Sequence, residues 1–219
     1  MAGYSSQFAE AMNKRMGFAS AARLNVSYYI GRRYHLREPR LVQAIVAELP
    51  PYDLVLFRNP VSPKPRVYLS RKPERADNPV EPAALFVRPD YLNGDVDVLE
   101  TPEGTLPGPA PDGRARIEDY APEEVRVRVE TPHPAVLILL DSFDNGWTAT
   151  LDDGVAVPIR RANALVRAVV VPAGTHLVTF AYQTPLLKAG AWASLTGVVV
   201  CLGLVAQARW QPRRQRQGP

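Results

Sequence analysis

The sequence predicts a mainly β chain: an antiparallel, jelly-roll-like β-sandwich, preceded by a helical or α+β segment and followed by one C-terminal transmembrane helix. Three observations predict it. Residues 115–182 hold six strand-like runs separated by turn residues, residues 189–206 are apolar and uncharged, and most of the 22 prolines fall between positions 50 and 134. Regularly spaced short strands mark an antiparallel sandwich, and a proline-rich stretch rules out long helices.

The sandwich strands come first in the argument. Val125, Val127 and Val129 alternate with Arg126, Arg128 and Glu130, the period of a half-buried strand. Ala135–Phe143 is continuously apolar up to its acid, as in a strand buried on both faces. Asn145-Gly146 predicts a hairpin into a return strand, Trp147–Leu151. Asp153-Gly154 turns the chain into Val155–Arg160, and Pro172-Ala173-Gly174 connects Leu165–Val171 to His176–Tyr182.

Upstream, Phe8, Met12, Met16 and Leu24 space out a helix over residues 4–24. Short strands are expected at Val26–Ile30, Asp53–Arg58 and Arg66–Ser70, with a second helix over 38–48 whose first turn holds Pro39. Residues 71–115 read as linker and surface loop, with one strand at Ala84–Val87. The expected division is therefore 1–70, a helix-strand segment beside the sandwich; 71–114, a proline-rich linker; 115–184, the sandwich; 187–208, the membrane helix; and 209–219, a basic cytoplasmic tail.

Ala189–Ala206 reads AGAWASLTGVVVCLGLVA. Eighteen helical residues span about 27 Å, close to the hydrocarbon thickness of a bilayer. Trp192 and Trp210 lie toward the ends, where interfacial aromatics gather, and Gly190, Gly197 and Gly203 would let another helix approach. The alternative is a buried helix of a soluble protein. Arg209, Arg213, Arg214 and Arg216 follow, and the positive-inside rule places them in the cytoplasm, with the preceding residues outside. Met1–Gly17 has no apolar core of signal-peptide length to deliver them there. Either the chain is tail-anchored against its charge bias, or it is a piece whose earlier membrane helices lie elsewhere.

Motifs in order carry a resemblance that favours the second. Leu137–Ala149 (LILLDSFDNGWTA), Leu151–Gly154 (LDDG) and Val157–Tyr182, which holds Arg161-Ala162-Asn163 and Pro172-Ala173-Gly174, precede the apolar span. This run resembles the C-terminal region of the YfhO family, bacterial multi-spanning membrane proteins of glycosyltransferase-like (GT-C) architecture. Ala22–Arg33, YDLVLFRNP and PRVYL fit the course of that region upstream, so the likeness covers most of residues 20–207. Phe143, Asp144 and Asn145 depart from the aromatic-proline pattern usual in the family. The resemblance implies a bacterial cell-membrane protein whose β domain lies outside. It implies an accessory role in moving a sugar from a polyprenyl-phosphate donor to a cell-envelope glycan. The implied partners are membrane lipid, a polytopic bundle and the glycan or lipid-linked sugar. The family's catalytic acid belongs to an early loop with no counterpart here, so no catalytic residue is expected. A membrane-tethered carbohydrate- or protein-binding sandwich and a structural lid are the alternatives.

Four residues are candidate ligand contacts. Trp147 is either a sugar-stacking platform or a core residue locking two sheets. Arg161 and Asn163 present a guanidinium and an amide that suit a phosphate or a sugar hydroxyl. Equally, Arg161 pairs with Asp141 and Asn163 caps a bend. Asp141 and Asp144 lie three apart on a strand and so on opposite faces, which reads as solvated turn residues rather than a carboxylate pair. Asp152-Asp153-Gly154 is a turn, lacking the further acids a calcium loop needs. His35, His133 and His176 are scattered, and Cys201 is the only cysteine, so no metal site and no cofactor are expected. The net charge is +4, and no basic face interleaved with aromatics points to nucleic acid.

Overall fold

The computed structural model describes residues 17–32, 42–50, 52–101, 105–152 and 154–210. It forms two units, one ending at Tyr182 and one beginning at Gln183. The helix expected over 4–24 is described only at its end, α1 (Phe18–Arg23). The start of the helix expected over 38–48, Asp153 and the tail residues 211–219 lie outside the described residues.

Strands β1 (Tyr28–Arg32), β2 (Ile45–Leu49) and β3 (Leu54–Arg58) form a three-stranded antiparallel sheet with β3 in the middle. From Ile45 on, a strand thus stands where the helix over 38–48 was expected to continue, while residues 42–43 are helical. Ile45-Val46 is β-branched, and an edge of β3 is free to pair with it, which decides the conformation. Val55 and Phe57 bury one face of this sheet under Phe18 and Tyr29, whose rings stand edge to face at 5.3 Å.

The remaining strands build two sheets. The five-stranded sheet contains β7 (Arg114–Tyr120), β8 (Glu124–Thr131), β10 (Trp147–Leu151), β11 (Val155–Val157) and β14 (Gly174–Tyr182), ordered β11-β10-β14-β8-β7. The six-stranded sheet contains β4 (Val67–Leu69), β5 (Pro73–Ala76), β6 (Asp97–Glu100), β9 (Ala135–Ser142), β12 (Arg160–Ala162) and β13 (Val166–Val171), ordered β4-β9-β13-β12-β6-β5. Every pairing is antiparallel except β5 with β6. The two sheets share a core built from period-2 alternation: Val125, Val127 and Val129 of β8 and Val178 and Phe180 of β14 meet Leu137 and Leu139 of β9 and Val169 and Val171 of β13.

Three differences from the expected arrangement have physical causes. First, Asn145-Gly146 does not close a hairpin. β9 pairs with β4 and β13, whereas β10 pairs with β11 and β14, so the turn carries the chain from one sheet to the other. Asp144 shapes it by accepting the Gly146 N–H at 2.8 Å. Second, the run 155–160 splits into β11 and β12, in different sheets, at Pro158, which has no N–H to give a ladder. Third, residues 71–114 are not a linker. They contribute β5, β6 and two short helices, α2 (Pro82–Leu85) and α3 (Pro89–Asn93). Pro82 at the first turn and the helix formers Ala83, Ala84 and Leu85 make a helical turn where a strand was expected.

These pieces cover the outer face of the six-stranded sheet. Val136 and Ile138 of β9 and Val166 and Ala168 of β13 are buried there with Leu99, against Leu24 and Leu106. Leu85, Phe86, Tyr91 and Val96 form an adjoining core. The continuous apolar run of β9 follows from this burial on both faces.

The second unit is one helix, α4 (Leu187–Trp210). Its 24 residues extend about 36 Å. Residues 190–207 have a mean hydropathy of 1.6 and none is buried, so this helix is long and apolar enough to cross a membrane.

At the far end of β10, Asp152 takes a positive φ of 49° and ties the turn to β14. Its carboxylate accepts the Leu177 N–H at 2.9 Å and meets His176 Nδ1 at 2.7 Å. His176 Nε2 faces the Ala173 carbonyl at 3.2 Å, so both ring nitrogens point at acceptors, as suits the imidazolium. The bond to Asp152 raises the His176 pKa, and the same bond, with that from Leu177, lowers that of Asp152. A raised histidine stabilises fully below its unfolded value of about 6.5 and loses this as pH rises through its folded value. A lowered aspartate stabilises above about 3.9 and loses this as pH falls through its folded value. Melting temperature should therefore be highest between about pH 4 and 6.5 and decline on the alkaline side. In His176→Gln that alkaline decline should flatten, as thermal denaturation across a pH series would reveal.

Candidate functional site

The four candidate residues fall into two polar clusters, the first centred on the half-buried carboxylate of Asp141 and the second on a fully buried one. Asp141 and Trp147 meet in the first, through a residue that the sequence reading passed over. Arg167 shares the core face of Val169 and Val171 by strand alternation, and it is 2% exposed. Its guanidinium carbon lies 3.7 Å from the centre of the Trp147 ring and 5.6 Å from that of Phe180. Its Nη2 donates to Asp141 Oδ2 at 2.9 Å. Burial, with the nearby Arg66, presses its pKa down while Asp141 opposes that.

A bulge aims Asp141. The β9–β13 register steps from Arg167 opposite Leu139 to Val166 opposite Ser142, so Leu140 and Asp141 have no partners in the ladder. The freed Leu140 N–H donates to Arg66 O at 2.8 Å. The Arg66 side chain then grips the second carboxylate oxygen, Oδ1, from Nε at 2.9 Å and Nη2 at 2.7 Å. Arg66 also donates to the Tyr120 hydroxyl and lies 4.1 Å above its ring, so it links the edge strands of the two sheets. Asp141 is thus held between two arginines and pairs with neither Asp144 nor Arg161. Trp147 has one ring face against Arg167 and its edge near Tyr182, 5.2 Å between ring centres across the β10–β14 pair.

Arg161 and Asn163 belong to the other cluster. Arg161 stands opposite Glu100 on β6 and donates to its carboxylate from Nε at 2.7 Å and Nη2 at 2.5 Å. Asn163 and Ala164, with φ of 51° and 64°, are the central residues of the β12–β13 turn, as a type I′ turn requires. Asn163 is 1% exposed. Its amide extends the β12–β6 pairing: Oδ1 accepts the Val98 N–H at 2.9 Å and Nδ2 donates to Asp97 Oδ1 at 2.9 Å.

Asp97 is the centre of that cluster and also escaped the sequence reading. Besides Asn163, it accepts from Arg23 at 2.6 Å, the Tyr68 hydroxyl at 2.8 Å and the Ser70 hydroxyl at 2.8 Å. Its four donors come from three separate chain segments, around residues 23, 68–70 and 163, and no local motif announces such a meeting. Arg23 stacks over Tyr91 at 4.5 Å, and Asp97 with the two tyrosines raises its pKa against the lowering by burial. Burial, followed by Asp97, lifts Tyr68 well above the usual phenol value, and burial pushes Tyr91 up to about 12. Both phenols are therefore neutral donors or bystanders at physiological pH.

These contacts commit Asp141, Arg161 and Asn163 to protein partners, and Trp147 to Arg167 on one face. Chemically, the clusters neutralise and fix buried charge. Among the described residues no group of three or more histidines, cysteines or acids could hold a metal ion. Removing one member of a buried pair leaves the other uncompensated. Asp141→Ala should lower stability by about 3–5 kcal/mol, and the double variant Asp141→Leu/Arg167→Met should regain most of that loss. Denaturant titration of the purified chain measures both. A small effect of Asp141→Ala alone would show that Arg167 does not need its carboxylate. No family model, curated protein or solved structure matches the chain.

Proposed function

We propose that this chain is the extracytoplasmic accessory domain and last membrane helix of a YfhO-like membrane protein. In this role it assists transfer of a sugar from a polyprenyl-phosphate donor to a cell-envelope glycan, while the catalytic acid resides in another part of the assembly. One observation carries the membrane half of this reading: α4 is apolar all the way round. Trp192, Leu195, Val198, Val199, Val200, Leu202 and Leu204 are all exposed, and together they leave no polar stripe to face water. Lipid satisfies such a surface on every side at once.

The β unit supports the sandwich half. β8 lies beside β14, β14 beside β10, and β9 beside β13, while the chain crosses between sheets after β6, β8, β9, β11 and β13. That alternation is what a jelly-roll-like arrangement calls for. The arginines after the helix favour a cytoplasmic C-terminus and an external β domain. The sugar-transfer role rests on the ordered motifs of residues 137–182.

The full chain expressed in bacteria should stay with membranes through an alkaline carbonate wash, and a version lacking residues 187–210 should be released. Loss of the chain from its host should lower one sugar substituent of a cell-envelope glycan, measured by mass spectrometry of the isolated glycan. The full chain should restore it and the helix-deleted version should not. Release of the full chain by the wash would end the membrane reading, and an unchanged glycan would end the sugar-transfer reading.

A further inference from the structure

Where the edge strands β4 and β7 approach each other, the β unit holds a cavity of about 770 Å³. That is the size of a small-molecule site. Its walls combine two chemistries. Val67, Tyr68, Leu69 and Pro111 supply apolar and aromatic surface, and Lys64, Arg71, Arg114, Arg116 and Arg128 supply five cations against two carboxylates, Asp97 and Glu130.

The carboxylates do not cancel this charge. Asp97 is 2% exposed and its charge is met by Arg23, Tyr68, Ser70 and Asn163. Arg116 and Arg128 stand directly opposite each other on β7 and β8, an unfavourable like-charge pair, and Glu118 bridges them at 3.2 and 3.0 Å. Arg71 and Arg114 form no ion pair with any described residue. Glu130, opposite Arg114 in the ladder, is not within ion-pair distance of it. Lys64 donates to the Gly94 carbonyl at 3.2 Å and stands 5.5 Å over the Tyr68 ring. Burial and the neighbouring Arg23 guanidinium lower its pKa, so an anion beside it would relieve a field that already strains its charge.

The backbone is fitted to this space. Gly94 has a φ of +81°, and a Cβ there would meet the Lys64 side chain at 2.6 Å. A Cβ on Gly113 would run into Leu69 Cδ1 and fall 3.1 Å from Thr131 Oγ1. Both positions allow close approach only because they lack a side chain.

We propose that this cavity binds a phosphate ester of roughly one sugar ring, with Arg71, Arg114 and Lys64 on the phosphate and the Tyr68–Leu69 wall against the ring. Guanidinium pairs suit phosphate oxygens through bidentate donation. The ring's less polar face suits an aromatic and aliphatic wall. The sugar component of the ligand rests on the proposed function; the phosphate component rests on the cavity alone. A phosphorylated sugar and a phospholipid headgroup share this chemistry.

The full chain in neutral detergent micelles is titrated with glucose 1-phosphate, inorganic phosphate, glucose and short-chain phosphatidylglycerol. Binding is followed by the backbone amide signals of Gly94 and Gly113. Glucose 1-phosphate should bind saturably and more tightly than phosphate or glucose. Its affinity should fall several-fold between 50 and 200 mM salt, taken as roughly the range over which phosphate contacts are screened. Arg71→Ala/Arg114→Ala should weaken it at least tenfold with an unchanged melting temperature, since neither side chain makes an ion pair that the fold needs. Saturation by phosphatidylglycerol with no response to glucose 1-phosphate would assign the phosphate to a lipid headgroup and remove the sugar. No saturable response to any phosphate compound, or equal affinity in the double variant, overturns the site. A chain that washes off membranes yet binds glucose 1-phosphate loses the membrane role and keeps the cavity; the reverse pair of results does the opposite.

Discussion

Strands β9 and β13 carry apolar side chains on both faces, and upstream residues that include Leu24, Leu99 and Leu106 hide the second of them. One face meets β8 and β14 inside the sandwich. On the other, Leu99, Val136, Ile138 and Val166 are all but fully buried. At about 1.5–3 kcal/mol for each large side chain, these four alone represent roughly 6–12 kcal/mol. That matches the whole net stability of a typical domain. A free-standing sandwich of residues 115–184 would expose this surface. The segments that supply β4, β5, β6, α2 and α3 therefore belong to the same folding unit as the later strands.

Covering a sheet with irregular chain brings polar groups inside, and the structure resolves this with two carboxylates. Asp97 gathers donors from α1, β4, the approach to β5 and the β12–β13 turn, and so fixes where each crosses the sheet. Asp141 does the same at the other end, joining β4 to β13 and, through Arg66 and Tyr120, to β7. A buried ion pair adds little net stability over a well-packed apolar pair. Its geometric demand is strict, however, because a misregistered strand would leave a charge in the core without its partner. Apolar side chains alone would tolerate such slips far better. In this chain the apolar contacts supply the energy and the two carboxylates select the register.

This division explains what was legible in the sequence. Strands β8, β9, β10, β13 and β14 and helix α4 follow from periodicity, a local property that residues such as Val125 to Val129 display openly. Arg167 was legible by the same rule, since it continues the Val171, Val169 face, yet an arginine does not look like a core residue until its acid is known. The pairings were not legible. Asn145-Gly146 specifies a tight turn but not whether its strands share a sheet, and here both edges of β9 are taken by β4 and β13. Arg161, for which Asp141 was one of two expected partners, a ligand being the other, lies at Glu100, because a strand fixes the face on which a side chain stands and leaves the neighbouring strand to be chosen by the whole fold. Asp97 depends on partners up to 74 residues away, for which no local pattern exists.

The two units place opposite demands on solvent. In the β unit, charged side chains alternate outward along β7 and β8, and the apolar side chains between them are buried along β8 and half-buried along β7. In α4, at about 100° of turn per residue, Val198, Val199, Val200, Leu202, Leu204 and Val205 point in different directions around the axis, and every one is exposed. A groove on a protein surface covers one stripe of a helix and leaves the rest in water. Full coverage needs either a bundle of several helices or the hydrocarbon interior of a bilayer, and the glycines at 190, 197 and 203 suit close helix contact within either. Lipid and neighbouring helices are compatible environments for one segment, whereas water suits none of its sides. What suits α4 to lipid is therefore how its apolar residues are distributed around the axis, a stricter criterion than their number.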